Sequence, residues 1–488
     1  MNSVGLMHLE FIYAELALIV AAMVFLLVGA FKDKSFAPKV MKFAMMVVWF
    51  TFAYKIFEGA PQESVTLLSN MLIVNEFTYY CKLLILLATG LVLFMASSYY
   101  EEHLADAVSE FAVLVLLACA GMLLMVSSNH LLSLYMSLEL QSLSLYLLAS
   151  IHRDHVKSSE AGLKYFVLGS LASGMLLFGI SYIYGFTGVA SFDGIAAALT
   201  NAVNQQTMVP LGLLLGMVCL LIGFCFKISA VPFHMWTPDV YQGAPTVVTS
   251  FFASAPKVAA VALLARVLTQ AFGDLTDQWQ QIIIFVSIAS MVVGALGALQ
   301  QSNIKRLLAF SSIGHVGFLL VGIAAGSHQG IQAVLIYLAV YVLMSLGMFA
   351  IVLMIRDKEG AQEDLTALSG LAKQQPALAF AIAVLMLSMA GIPPLAGFFG
   401  KFYIFMAAVE AELYTLAIIG VLSSVLSAFY YLRVIKLMYF DQASTELVKG
   451  APLALTSIAA VSVAFNMLLC IHFAPLVDAG KWAASSLF

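Results

Sequence analysis

Apolar residues in this chain run in windows of about twenty, the length a helix needs to cross the hydrocarbon core of a bilayer. Scanning for such windows predicts about fourteen spans: 9–31, 40–58, 75–98, 107–127, 129–151, 160–185, 208–242, 247–269, 278–300, 303–325, 330–355, 377–409, 412–438 and 452–475. The pattern is that of an all-α polytopic membrane protein. Two of the windows, the seventh and the twelfth, are too long for one span and are interrupted. The seventh contains K-I-S-A-V-P-F-H-M-W-T-P-D-V-Y with Pro232 and Pro238. The twelfth contains G-I-P-P-L-A-G-F-F-G-K-F-Y with Gly391, Pro393, Pro394, Gly397 and Gly400. Proline removes a backbone donor and clashes with the preceding turn, so both helices are expected to break, near 228–238 and near 391–394.

Composition agrees with membrane burial. Of 488 residues, 62% are hydrophobic and only 10% charged, with a mean hydropathy of +1.01. That is too little polar surface to cover a water-soluble globule of this size. A net charge of -4 and the absence of any basic run exclude nucleic acid as a partner. Cys81, Cys119, Cys219, Cys225 and Cys470 lie in apolar stretches with no C-x-x-C and no histidine at ligand spacing, so they read as buried thiols. No iron-sulfur cluster, haem or other metal is expected in this chain. The opening M-N-S-V-G-L-M-H-L-E has no basic segment or cleavage site before its apolar run, so the first span is expected to be retained.

Against this background four charges stand out, because Glu139, Lys227, Lys257 and Lys401 fall inside apolar windows. An ionised group at mid-bilayer costs roughly 2.5 to 3.5 kcal/mol on insertion scales, so such residues face protein or water and serve a function. The interrupted windows also suggest an internal repeat. With spans 4–8 as one unit and 9–13 as another, L-L-S-L-Y-M-S-L-E-L (131–140) aligns with L-L-A-F-S-S-I-G-H-V (307–316), placing Glu139 opposite His315, and Lys227 loosely answers Lys401. Five spans is an odd number, so the second unit is inverted, and inverted repeats with broken helices are a transporter architecture. The expected segments are 1–106 with three helices, 107–270 and 271–441 as the two five-helix repeats, and 442–488 with a last helix.

Loop charges predict orientation. Lys32, Lys34, Lys39, Arg153, Lys157, Lys305, Arg306, Arg356, Lys358, Lys373 and Lys449 fall in the loops after spans 1, 5, 9, 11 and 13, whereas the opposite loops are acidic. The basic side is then cytoplasmic, with both termini on the other face.

The stretches 227–245, 302–318 (S-N-I-K-R-L-L-A-F-S-S-I-G-H-V-G-F) and 391–403 resemble the antiporter-like subunits of respiratory complex I. Those subunits are themselves similar to subunits of Mrp-type cation/proton antiporters and membrane-bound hydrogenases. The resemblance covers nearly the whole chain. Within the family, an ending after the last span sets the chain apart from the distal subunit, which continues in a long lateral helix. Lys401 sets it apart from the middle subunit, which typically carries Glu there. The resemblance implies fourteen helices, two inverted five-helix repeats and a proton path without cofactors. Flavin mononucleotide, iron-sulfur clusters and quinone are then expected in partner subunits. It also implies a bacterial inner-membrane location, with periplasmic termini, beside a neighbouring antiporter-like subunit and small helical subunits. By position, Glu139 matches the glutamate that pairs with the seventh-helix lysine, here Lys227. Lys257 and His315 match the link between half-channels, and Lys401 the exit-side lysine.

The chemistry suits these residue types. A lysine held away from water gives up its proton more readily and a nearby carboxylate reverses this, so movement of Glu139 relative to Lys227 would load or release a proton. Histidine titrates near neutrality, which makes His315 and His234 natural relays. Glu160 and Lys164, one turn apart on span six, fit either proton entry or simple surface packing. Each assignment has a plainer reading: Glu139 and Lys227 as a static brace, Lys257 as a snorkelling side chain, His315 as a satisfied core histidine. A break beside the lysine makes a poor brace, and Lys257 lies too deep in its window to snorkel. Glu15, Lys82 and Arg433, nearer span ends, read as structural contacts. Two functions fit: a proton-translocating module driven by quinone reduction in its partners, or a cation/proton antiporter subunit. An inert scaffold is the bland third, and a relative taking electrons from ferredoxin fits the same motifs.

Overall fold

A computed structural model describes residues 9–31, 36–103, 107–204, 209–358, 360–443 and 445–488. Residues 1–8, Lys32, Lys34 and the expected segment boundary at 106 lie outside the described residues. Apolar composition leaves the backbone to satisfy itself, and the chain does so almost wholly as helix. The first helices are α1 (Tyr13–Phe31), α2 (Ala37–Glu58), α3 (Glu76–His103), α4 (Val108–Ser127), α5 (Leu131–Ala149) and α6 (Val156–Thr187). A short antiparallel hairpin, Val65–Leu67 with Leu72–Val74, joins α2 to α3, and an unforeseen α7 (Phe192–Asn204) follows α6.

The seventh window is broken as expected. Helix α8 (Leu211–Ile228) ends at Ser229, whose left-handed backbone (φ 67°) turns the chain through 229–235 into α9 (Trp236–Gly243). Pro232 lies in this break, but Pro238 does not break anything. It occupies the first turn of α9, where no helical acceptor awaits its missing N–H.

The eighth window carries an interruption that periodicity did not predict. Helices α10 (Thr246–Ala253) and α11 (Ala255–Arg266) meet at Ser254 (φ -116°, ψ -93°), and Pro256 starts the second piece. Lys257 therefore stands in the first turn after a break, not in the middle of a continuous helix. A π-turn, Val267–Ala271, closes this segment.

Next come α12 (Thr276–Leu299), α13 (Ile304–Ala324), α14 (His328–Met354) and a one-turn α15 (Leu371–Gln374). The twelfth window splits into α16 (Pro376–Ala390) and α17 (Ala396–Glu410), with Gly391 in the left-handed region (φ 84°) at the break. Helices α18 (Tyr414–Phe440) and α19 (Leu453–Leu468) follow; α19 stops short of the expected 475, and α20 (Ala474–Ser485) packs against α14 and α3. Twelve helices among the described residues are long and apolar enough to cross a membrane, and the shorter α16 and α19 stand at the twelfth and fourteenth windows.

Burial follows position. Helices α10–α11, α13 and α14 form the interior, with Lys257 on α11 and His315 on α13 among their buried residues, whereas α1, α2, α6 and α18 expose apolar faces. Small residues allow the closest approaches: a Cβ on Gly294 of α12 would sit 2.6 Å from the Gly314 nitrogen of α13. Lys305 and Arg306, expected in a loop, belong to the first turn of α13, capped by the Asn303 side chain, and Lys305 is buried. Cys470, expected to be buried, is half-exposed in the turn after α19, while the other four thiols are buried.

Candidate proton-transfer site

Lys227 is the next-to-last residue of α8, buried just before the break. Its Nζ donates to Ser142 Oγ at 2.5 Å and to Tyr146 OH at 3.1 Å, both on α5. Glu139, one turn earlier on α5, makes no ion pair with Lys227 in this structure. Its Oε1 is buried without a hydrogen-bond partner, and its charge acts on the lysine through space. The expected pair is thus open, with hydroxyls holding the ammonium in place of the carboxylate.

Lys257 is buried, and among the described residues it makes a single polar contact, a 3.4 Å bond from Nζ to the carbonyl oxygen of Ile228, the last residue of α8. The interruption at Ser254 aims the side chain at the end of the broken seventh helix. Lys401 takes the corresponding place at the second break. Its Nζ donates at 2.9 Å to the Ala390 carbonyl, the last residue of α16, and at 2.9 Å to Ser424 Oγ of α18. Helix C-termini carry partial negative charge on unpaired carbonyls, so each break supplies an acceptor for a buried ammonium that has no carboxylate. Gly391 makes room for this, because a Cβ there would lie 2.9 Å from Lys401 Cδ.

His315, buried on α13, lies between two tyrosines: Nδ1 is 2.6 Å from Tyr337 OH on α14 and Nε2 is 3.1 Å from Tyr431 OH on α18. Tyr431 also bonds Ser311 at 2.5 Å. Among the described residues, Lys401 and Lys257 are the charges whose fields reach His315. Phe318, one turn further along α13, lies under the Lys401 ammonium at 4.6 Å. A hydroxyl both accepts and donates, and Ser142, Tyr146, Tyr337, Tyr431 and Ser424 each place one against Lys227, His315 or Lys401. These residues were not legible as site residues, since a tyrosine or serine in an apolar window looks the same whether it packs or relays.

The lower-ranked candidates divide. His234 lies in the break after α8, half-buried, with Nδ1 unpartnered. Glu160 and Lys164 form the expected one-turn pair at 2.7 Å, but Lys164 also bonds Asp239 Oδ2 of α9 at 2.7 Å. Arg306 of α13 reaches the same carboxylate, Nη1 to Oδ1, at 2.6 Å. Glu15 and Lys82 form a buried ion pair at 2.6 Å between α1 and α3, while Arg433 donates to the Leu299 carbonyl. Arg266, which the sequence did not single out, is fully buried at the end of α11 and bonds Asn75 Oδ1 at 3.2 Å. Among the described residues no group of three His, Cys, Asp or Glu side chains is placed to hold a metal ion.

Residues 128–427, which contain every member of the buried row, match the family described as NADH:quinone oxidoreductase/Mrp antiporter, TM. NADH-quinone oxidoreductase subunit N of Parvibaculum lavamentivorans is 51% identical over 473 residues, covering 97% of this chain and 96% of that protein. A chain of respiratory complex I from Thermus thermophilus superposes with a TM-score of 0.80 at 30% identity, covering 95% of this chain and 98% of that one. A chain of the Mrp complex from Dietzia sp. gives a TM-score of 0.81 at 22% identity over 99% and 98% of the two chains, a likeness of fold. Matched over 97% of its length by a relative 51% identical to it, the chain belongs to the NADH-quinone oxidoreductase subunit N family.

Proposed function

We propose that this chain is a proton-translocating membrane subunit of NADH:quinone oxidoreductase, moving protons through Glu139, Lys227, Lys257, His315 and Lys401 while quinone reduction proceeds in partner subunits. The observation that carries the reading is the placement of Lys257 and Lys401. Among the described residues each is a buried ammonium that bonds no carboxylate, resting on the carbonyl end of a broken helix, and the charges of both act on His315. A static brace would pair such charges, because breaking or omitting a partner of a buried ion is costly.

In this reading Glu139 modulates Lys227, the hydroxyls of Ser142 and Tyr146 pass its proton on, Lys257 and His315 bridge the halves, and Lys401 serves the exit. His234 is a further relay beside the first break, and Glu160 and Lys164 belong to proton entry or coupling. The fold then counts fourteen spans, with 107–270 and 271–441 as inverted repeats and both termini in the periplasm of a bacterial inner membrane. The redox groups, flavin mononucleotide, iron-sulfur clusters and quinone, reside in partners, and other membrane-arm subunits flank this one.

The test is NADH-driven proton uptake in membrane vesicles carrying Lys227→Ala or Lys401→Ala. Loss of pumping in an assembled complex is expected, and unchanged pumping with normal assembly overturns the path. Copurification with flavin and iron-sulfur clusters distinguishes this function from a cation/proton antiporter subunit, for which the 22% likeness supports the fold alone.

A further inference from the structure

The short helix α9 is fastened in two different ways at its two ends. At its C-terminal end the buried Lys305 of α13 donates to the Ala244 carbonyl at 2.8 Å and to Glu363 Oε1 at 2.8 Å. With its side chain 2% exposed, that ammonium is shielded from water and makes a fixed pivot. In the first turns of α9, Asp239 is bound by Lys164 of α6 at 2.7 Å and by Arg306 of α13 at 2.6 Å, with side chains 36%, 41% and 29% exposed. Ion pairs this open to solvent are individually weak, and their partners exchange readily with water. One end rests on a buried ammonium and the other carries solvent-exposed ion pairs.

The end with the exposed ion pairs is also the end nearest Lys227. Trp236, the first residue of α9, donates Nε1 to the Phe226 carbonyl at 3.1 Å, beside Lys227. Its ring stacks on Tyr165 at 4.2 Å, and Tyr165 packs edge-on against Tyr146 at 4.8 Å, the phenol that holds Lys227. On the other side, Arg306 lies on the helix that carries His315. Asp239 therefore ties the broken seventh helix to α6 and to α13 at once.

We propose that Asp239 is a positioning residue, a latch whose pairs with Lys164 and Arg306 hold α9 closed and whose release lets α9 swing on the Lys305 pivot and change the surroundings of Lys227. The inference rests on the proton path proposed above. Asp239 does not carry the transferred proton. It sets when Lys227 is reached, and Arg306 couples that moment to the second half of the molecule.

The test uses assembled complex in membranes and measures NADH oxidation and proton uptake together. In Asp239→Asn and Arg306→Gln, oxidation continues while protons moved per NADH fall by roughly a factor of two, as expected when a gate slips but no reacting group is lost. Asp239→Glu, which keeps the carboxylate, restores the ratio. An unchanged ratio in both variants, or a ratio in Asp239→Glu as low as in Asp239→Asn, overturns the latch. Where the variants do not assemble, hydrogen exchange on the native complex decides. Faster exchange of the 236–243 amides during turnover than at rest supports the latch, and equal exchange overturns it. A normal ratio in Asp239→Asn alongside lost pumping in Lys401→Ala rejects the latch alone; normal pumping in Lys401→Ala rejects the path itself.

Discussion

Lys401 Nζ donates at 2.9 Å to the carbonyl oxygen of Ala390, eleven residues earlier in the chain and on the other side of a helix break. The lysine thus replaces the missing next turn of α16, and the break in turn supplies the lysine with one of its two acceptors, Ser424 Oγ being the other. Lys257 and Ile228 repeat the relationship at the first break, at 3.4 Å.

If the ammonium at the second break must release its proton, charge alone does not suffice there. Lys401→Arg keeps a cation that does not deprotonate in proteins, so assembly is retained and NADH-driven pumping falls as far as in Lys401→Ala. Proton uptake by vesicles, normalised to assembled complex, checks this; pumping near the native rate in the arginine variant contradicts it.

Gly391 serves this lysine in two ways, through its left-handed backbone and through the space that a Cβ would take from Lys401 Cδ. Gly391→Ala is expected to destabilise the subunit by about 1–3 kcal/mol from backbone strain and to lower pumping. Gly174→Ala, at a helical glycine with open space around it, is the matched control. Thermal unfolding and pumping of the two variants decide.

At the first break the hydroxyls hold the ammonium. Tyr146→Phe removes one of the two hydroxyls that accept from the Lys227 ammonium while keeping the ring that packs on Tyr165, so assembly persists and pumping slows. Removing one hydrogen bond to a charged group costs roughly 1.5–3 kcal/mol, which is the scale expected for the change in the lysine's preference between its two forms. A pumping rate equal to wild type at every pH tested removes Tyr146 from the path.

The Glu15–Lys82 pair, 2.6 Å apart with both side chains almost fully buried, belongs to the N-terminal helices and lies apart from the row. Leu or Met at one position leaves the other charge stranded and costs about 3–5 kcal/mol, whereas replacing both is close to neutral. Thermal denaturation of the two single variants and the double variant measures this. If the double variant loses stability as the sum of the singles, the pair is not what stabilises the contact between α1 and α3.

Much of the molecule was written in its linear pattern. Windows of about twenty apolar residues determined the helices because backbone groups in lipid have no other partners than one another. Pro232, Gly391 and Pro393 marked both breaks, and the cost of a buried charge singled out Glu139, Lys227, Lys257 and Lys401. Local signals of this kind act within one or two turns and survive reading one residue at a time. The partners of those charges did not. That Lys227 rests on Tyr146 and not on Glu139, that Lys257 reaches the carbonyl of Ile228, that Tyr337 and Tyr431 enclose His315, and that Asp239 gathers Lys164 and Arg306 all depend on contacts between helices far apart in sequence. Only packing decides these, because in an apolar window a hydroxyl has no signature until another helix brings it an acceptor or a charge.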